Sequence, residues 1–165
     1  MTGFEITNLR DCPDLFRNVC AAWSYGEWSS QAVDTQTYTL QQALERYNNT
    51  ASEGNPLMQT WMAVASGKPA GMISFKNNDH PDRPDIYPWL ASLFVHPKYR
   101  QKGIATLLIK TVETEAIRQG FKEIFLFTST QAGLYEKHGY KHMARIRDLC
   151  GINPEGDHLM RKELA

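Results

Sequence analysis

The stretch WLASLFVHPKYRQKGIATLLIKTVETEAIRQGFKEIFLF, residues 89–127, contains the pattern that decides the fold. It begins with a short apolar run typical of a buried strand, continues through a basic loop into a helical pattern, and reaches a C-cap glycine at Gly120 before a second apolar run. The helix is expected to bury one face, formed by Ile104, Leu107, Leu108 and Val112. A strand–helix–strand crossover returns the chain parallel. The strands holding Leu93 and Phe125 are therefore predicted to be parallel and to splay apart at their C-terminal ends.

The loop RQKGIA, residues 100–105, stands between the first strand and the helix. The first N–H groups of a helix lack intrahelical acceptors, and the helix dipole adds positive potential there, so such a loop favours an anion. Gly103 and Ala105 are small enough for a ligand to approach the backbone closely. Three cations surround the loop: Lys98, Arg100 and Lys102. The chain has neither Gly-x-Gly-x-x-Gly nor Gly-Lys-Ser/Thr, so the loop predicts a phosphate site of another kind.

The segment before this unit predicts a strand, two helices and a hairpin. FEITNLR alternates like a strand, and Asp11 is a candidate N-cap for the helix that follows it. The polar stretch Ser29–Thr37 separates that helix from a second one over LQQALERYNN. MQTWMAVAS and AGMISFK form a hairpin, and a long loop with three prolines, NNDHPDRPDIYP, follows.

The segment after the unit predicts a short helix and two closing strands. Ser129 or Thr130 is a candidate cap for a helix over QAGLYEKH, which Gly139 ends. YKHMARIRD and DHLMRKEL supply the strands. The order β-α-α-β-β-β-α-β-α-β-β indicates an α/β (α+β) fold, with a mixed, mostly antiparallel sheet flanked by helices, in one domain over residues 1–165.

Composition narrows the possible partners and location. The 165 residues carry 18 basic and 18 acidic side chains, so the broad positive field that nucleic acid requires is missing. The N-terminal sequence is charged where a signal peptide is apolar, and no apolar run reaches the length of a membrane span. Three cysteines without metal-type spacing fit reduced thiols. These features predict a cytoplasmic protein without nucleic-acid or membrane partners, and leave monomer and homodimer open.

These motifs together carry a family resemblance. Arg100, Gly103 and Ala105 between strand and helix, followed by a strand and LYEKHGY, resemble the GNAT superfamily of acyl-CoA-dependent N-acyltransferases over essentially the whole chain. The resemblance implies that acetyl-CoA is the cosubstrate and that a small-molecule or peptide amine accepts the acetyl group. It also implies that the pantetheine arm lies along the preceding strand. The implied coenzyme A contacts are Leu93, Phe94, Val95, Arg100, Gln101, Lys102, Gly103, Ile104, Ala105 and Thr106.

The resemblance also implies a role for Tyr135, which matches the tyrosine of the family pattern Tyr-x-x-x-Gly-aromatic. The amine attacks the thioester carbonyl directly, and the departing thiolate needs a proton or a hydrogen bond. A phenol with pKa near 10 is a weaker acid than a thiol with pKa near 8.5, by about 2 kcal/mol. We therefore expect Tyr135 to act as a general acid mainly through a strong hydrogen bond to the sulfur.

The sequence identifies no general base. Many relatives carry a carboxylate on the strand before the loop, where this chain has Trp89 and Ser92. Deprotonating a lysine-like amine at pH 7 costs about 4.6 kcal/mol, and an α-amino group only about 1 kcal/mol. Three acidic residues lie in segments that could border the cleft, but a solvated surface charge is the better explanation for each of them: Glu27, Asp82 and Asp85.

Two other patterns have competing explanations. His138 and His142 are spaced like a metal pair, but Gly139 ends the helix between them, so no metal site is predicted. Aromatic residues after the first strand fit either an amine-binding wall or ordinary packing. They are Trp23, Tyr25 and Trp28. The rival to an enzyme is a regulatory module that binds acyl-CoA without turnover, and the intact loop and Tyr135 favour the enzyme.

Overall fold

A computed structural model of the protein describes residues 3–29, 38–52 and 54–165. The predicted stretch Ser29–Thr37 lies outside the described residues from position 30 onward. The helices and strands follow the predicted order. They are β1 Phe4–Asn8, α1 Leu15–Ser24, α2 Leu40–Thr50, β2 Met58–Ala65, β3 Lys68–Lys76, β4 Trp89–Val95, α3 Ile104–Arg118, β5 Glu123–Thr128, α4 Ala132–Lys137, β6 Lys141–Ile146 and β7 Asp157–Glu163.

The strands form one seven-stranded sheet in the order β1-β2-β3-β4-β5-β7-β6. Neighbours are antiparallel except β4 and β5, which are parallel, as the crossover through α3 requires. Those two strands pair in register at Trp89 and Phe125, and the Phe125 N–H donates to the Pro88 carbonyl at 3.0 Å. Beyond this point they separate, which confirms the predicted splay and leaves an opening that we call the β4–β5 cleft.

Helices cover both faces of the sheet. Helices α1 and α2 bury Phe16, Cys20 and Tyr47 against Met62 and Met72 on one face. Helix α3 covers the other face with four fully buried large side chains, and Leu107 is only half-buried. The four are Ile104, Leu108, Ile109 and Val112. Each large side chain buried in this way stabilises the fold by roughly 1.5–3 kcal/mol, which holds α3 against the strands.

The start of α1 differs from the sequence prediction. Asp11 ends a short 3₁₀ turn, and Asp14 occupies the N-cap position of α1. The cause is Pro13, because a residue before proline is driven out of the helical region. Cys12 is accordingly extended, with φ −86° and ψ 161°, so the helix cannot begin at Asp11.

The start of α4 also differs. Gln131 occupies the N-cap position and makes no side-chain cap, and neither Ser129 nor Thr130 serves that role. The hydroxyl of Thr128, at the end of β5, accepts the Gln131 N–H at 3.1 Å instead. Gly139 ends the helical segment with φ +87°, as predicted. Within the described residues, none of the helices is both long enough and apolar enough to cross a bilayer.

Candidate active site

The loop between β4 and α3 presents unpaired backbone N–H groups, and we call residues 100–106 the anion loop. Gln101 and Gly103 have positive φ values of 61° and 80°. The N–H groups of residues 101–106 donate to no acceptor among the described residues, and the first bond of the helix is from Leu107 N to the Gly103 carbonyl at 3.2 Å. Alternating left-handed residues before a helix turn successive N–H groups toward one point and form an anion site.

Glycine at position 103 suits the backbone of the loop. Its φ of +80° is costly for a residue with a Cβ, by about 1–2 kcal/mol. A Cβ built there would meet no protein atom within 4 Å, so the backbone conformation, and not crowding by the protein, favours glycine here.

The cations predicted around the loop are held by aromatic rings and backbone. The guanidinium carbon of Arg100 lies 5.8 Å from the centroid of the Phe94 ring, and its Nε donates to the Val95 carbonyl at 2.9 Å. Arg100 therefore connects the loop to β4. The ammonium groups of Lys98 and Lys102 lie 5.9 and 5.7 Å from the Tyr99 ring. The loop is consequently electropositive although the whole chain is neutral.

Strand β4 is bulged beside the cleft. Met72 of β3 opposes Phe94 and Ser74 opposes Ala91, so Ser92 and Leu93 together face one residue of β3. Ser92 adopts φ +54°, and a bulge of this kind bends the strand and redirects its backbone groups. This bend accompanies the separation of β4 from β5.

Beyond the bulge, the backbone of β4 alternates between β3 and the cleft. The His96 N–H donates to the Ala70 carbonyl on β3 at 2.9 Å, so Val95 and Leu93 turn their backbone groups toward the cleft. Their side chains pack on the α3 side of the sheet. Phe94 packs on the α1–α2 side against Trp23, with the two ring centroids 5.0 Å apart. Two further half-buried aromatic residues pack in that same cluster, namely Tyr25 and Trp28.

Tyr135 lies on α4 and is 8% exposed. Its ring meets the Tyr140 ring edge to face at 5.9 Å, and the Tyr140 N–H donates to the Tyr135 carbonyl at 3.1 Å. Burial raises the pKa of Tyr135 above its usual value, and the negative charge of Asp79 raises it further. The hydroxyl therefore stays protonated across the physiological range and can only donate to a developing anion.

A histidine joins this helix to the anion loop. The His138 Nε2 lies 3.1 Å from the Thr106 hydroxyl, and its Nδ1 lies 3.3 Å from the Leu134 carbonyl. Because that carbonyl can only accept, Nδ1 carries the proton and Nε2 accepts from Thr106 in the neutral ring. Among the described residues, no cluster of three or more histidine, cysteine or acidic side chains is arranged to hold a metal.

Comparisons with known proteins agree with this geometry. The sequence profile of the Acetyltransferase (GNAT) family matches residues 20–140. The chain belongs to the GNAT family. Members of this family are acyltransferase enzymes, and the fold is shared with solved structures of such proteins. An aminoglycoside 6'-N-acetyltransferase complexed with coenzyme A is 18% identical, with a TM-score of 0.73 over 98% of this chain and 97% of that one.

Two further relatives have similar sequence or fold. PaiA N-acetyltransferase from Thermoplasma acidophilum, in complex with coenzyme A, is 21% identical, with a TM-score of 0.64 over 97% of this chain and 98% of that one. Human N-acetyltransferase 8 is 34% identical over 85 residues, which are 49% of this chain. The match covers 37% of that human protein, so this GNAT chain spans less than half of its length.

The sequence did not suggest one acidic residue in the loop that precedes β4 of this GNAT chain. Asp79, in the loop between β3 and β4, accepts from the Lys76 ammonium group at 2.7 Å, and the Arg46 guanidinium lies 4.0 Å away. Burial raises the pKa of the Asp79 carboxyl to about 6, while Arg46 and His80 lower it. Local sequence offers no signal for this residue, because long-range packing of the loop places it.

The β3–β4 loop is held in place by His80, which is fully buried. Its Nδ1 accepts the Asp82 N–H at 3.1 Å, so its Nε2 carries the proton and donates to the Arg147 carbonyl at 2.9 Å. Asp82 also pairs with the Arg147 guanidinium at 3.0 Å, and Asp85 pairs with Arg83 at 2.9 Å. Both carboxylates that the sequence suggested in this loop are thus engaged in ion pairs.

Two other carboxylates of the GNAT fold differ in exposure. Glu27 is exposed on the turn after α1. Asp157, at the start of β7, is inaccessible to solvent, and neither of its carboxylate oxygens has a hydrogen-bond partner of regular geometry among the described residues. Burial raises the pKa of Asp157, against the lowering effect of the Ser129 hydroxyl.

Proposed function

We propose that this chain is an N-acetyltransferase that transfers the acetyl group of acetyl-CoA to a primary amine in a ternary complex. Residues 1–165 act as one catalytic domain in this proposal, and the reduced state of the three cysteines supports a cytoplasmic location. The observation that carries the proposal is the run of unpaired N–H groups at residues 101–106, which stands at the open end of the β4–β5 cleft.

The anion loop would hold the pyrophosphate of coenzyme A. Its directional hydrogen bonds come from the backbone N–H groups, and its charge comes from the α3 dipole and nearby cations. The coenzyme A contacts in this proposal are Arg100, Gln101, Lys102, Gly103, Ile104, Ala105 and Thr106 on the loop, and Leu93, Phe94 and Val95 on β4. Leu93 and Val95 would bind the pantetheine arm through backbone groups that face the cleft.

In the proposed complex, the thioester lies beside β4 and Tyr135. Backbone N–H groups that point at the carbonyl oxygen stabilise the negative charge that develops there when the amine attacks. Tyr135 would donate a hydrogen bond to the departing sulfur. Because burial holds the pKa of Tyr135 above that of a thiol, complete transfer of its proton is unfavourable, and stabilisation of the thiolate is its main effect.

The cysteines support direct attack by the amine. A covalent acetyl-enzyme would require an activated thiolate, whose pKa is lowered by a nearby cation or helix N-terminus. Burial instead raises the pKa of Cys12 and Cys150 to about 11, and that of Cys20 as well. None of the three is a thiolate at neutral pH, so the acetyl group would pass to the amine in one transfer.

A panel of amines tests the proposal. Acetyl-CoA is incubated with glycylglycine, Nα-acetyl-lysine amide, spermidine, tryptamine and kanamycin, which represent peptide, lysine, polyamine, aromatic and aminoglycoside acceptors. The last is included because a structural relative acts on an aminoglycoside. Amine-dependent release of coenzyme A thiol and a monoacetylated product are expected with at least one acceptor. Binding of acetyl-CoA without turnover of any amine would favour a regulatory module.

A further inference from the structure

Asp79 lies at the closed end of the β4–β5 cleft. The cleft opens beyond the pair formed by Trp89 and Phe125, and Lys76 stands opposite Trp89 on β3. The Lys76 ammonium group donates to Asp79 Oδ1 at 2.7 Å, which places the carboxylate beside that pair. An arm anchored at the anion loop enters from the open end, so its reactive terminus would approach the closed end.

The carboxylate also interacts electrostatically with the proposed acid. The negative charge of Asp79 adds to the effect of burial in raising the pKa of Tyr135. Asp79 comes from the β3–β4 loop and Tyr135 from α4, on the other side of the cleft in the strand order. A thioester between them would have one group for the amine and one for the sulfur.

One oxygen of Asp79 is held by cations. Lys76 and Arg46 both approach Oδ1, at 2.7 and 4.0 Å, and the Tyr38 hydroxyl lies 3.4 Å from Arg46 Nη1. The side chain of Asp79 is 14% exposed to solvent. The carboxylate is thus fixed through Oδ1, and no hydrogen bond to Oδ2 is found among the described residues.

We infer that Asp79 is the general base of this reaction and takes a proton from the acceptor ammonium through Oδ2. This inference rests on the proposed function. The neutral amine then attacks the thioester carbon, a C–N bond forms and the C–S bond breaks. The second proton leaves the nitrogen and ends on the coenzyme A sulfur. Asp79 returns its proton to solvent, so the products are the amide, free coenzyme A and one released proton.

The environment suits this role near neutral pH. A carboxyl with a pKa of about 6 holds a proton roughly 100-fold more strongly than an ordinary aspartate, yet remains mostly ionised at pH 7. Several titratable or charged groups on the surrounding elements interact with it, and among them Arg46 and His80 lower its pKa. They are Arg46 of α2, Lys76 of β3, His80 of its own loop, Tyr135 of α4 and Cys150 of the β6–β7 loop.

Other carboxylates of the region are poorly placed for the task. Asp82 is bound in a bidentate manner by Arg147, and Asp85 likewise by Arg83. Asp157 is inaccessible to solvent, so an amine cannot reach it in this conformation. Asp79 combines partial exposure, burial that raises its pKa, and a position near the pair that closes the cleft.

The test is the pH dependence of kcat/KM with the fastest amine of the panel. The wild-type protein should show an acidic limb with an apparent pKa near 6. Asp79→Asn should lower kcat/KM at least 100-fold at pH 7 and abolish that limb, while the affinity for acetyl-CoA measured by calorimetry stays within twofold. Asp85→Asn, a charge-matched change in the same loop, should leave the rate and profile unchanged.

Three outcomes are decisive. An Asn variant that keeps the rate and the limb would overturn the inference while amine acetylation by the wild-type protein still supports the proposed function. Absence of turnover in the wild-type protein would instead reject the function itself. Should the Asn variant fail to fold, Asp79→Glu keeps the carboxylate and its charge but moves the acid group. The limb must then shift, and an unmoved limb would overturn the inference.

Discussion

Substituting Gly103 tests the anion loop, and Gly120 offers a matched control at the other end of α3. Both glycines have positive φ, +80° and +88°, and a Cβ at either would meet no atom within 4 Å. Alanine should therefore cost about 1–2 kcal/mol of folding stability at each position. Aspartate at Gly103 adds a negative charge to the proposed phosphate site, and two like charges about 4 Å apart repel each other by about 4 kcal/mol at an effective dielectric constant near 20.

The assay is calorimetric titration with coenzyme A, together with thermal unfolding of each variant. Gly103→Asp should weaken coenzyme A binding by about 1000-fold, which is the ratio that about 4 kcal/mol represents. Gly120→Asp should bind like the wild-type protein. Both alanine variants should unfold a few degrees earlier, since 1 kcal/mol corresponds to about 2–4 °C in a chain of this size. Equal coenzyme A affinity in the two aspartate variants would refute the assignment of the loop.

Three further changes test other parts of the account. Tyr135→Phe removes one donor to the thiolate and should lower kcat about 10- to 100-fold in steady-state kinetics while KM for acetyl-CoA stays nearly constant. Gly71→Ala places a Cβ 2.9 Å from the Phe94 carbonyl and should cost about 1–3 kcal/mol in urea unfolding, whereas Gly133→Ala, in open space, should not destabilise the protein. Asp157 has a raised pKa, so the folded state holds its proton more tightly than the unfolded state. The stability that Asp157 contributes is therefore lost as the pH rises from its ordinary pKa near 3.8 toward its raised pKa in the folded state. Asp157→Asn should reduce this pH dependence of stability in unfolding curves measured between pH 4 and 8.

The sequence predicted the elements whose causes are local. The apolar patterns of β4, α3 and β5 predict these elements, and their limits are set by the glycines at 103, 120 and 139. The crossover from β4 through α3 to β5 then requires that the two strands be parallel. The unpaired N–H groups of the anion loop follow from the same local pattern. The N-cap of α1 was misplaced because the effect of Pro13 on Cys12 outweighed the capping preference of Asp11.

The parts that the sequence could not predict depend on distant contacts. Asp79 reaches the cleft because His80 ties its loop to Arg147, 67 positions away, and because Lys76 and Arg46 converge on the carboxylate. Ser92 adopts a positive φ because of the bulge between β3 and β4. Neither arrangement leaves a periodic or compositional signal, since each depends on which strands become neighbours.

The most direct test of the central claim is an initial-rate analysis in which acetyl-CoA and the acceptor amine are both varied. Transfer within one ternary complex predicts that coenzyme A thiol is released only when amine is present, and that the double-reciprocal lines intersect. Parallel lines, or a burst of thiol without amine, would show an acetyl-enzyme and contradict direct attack.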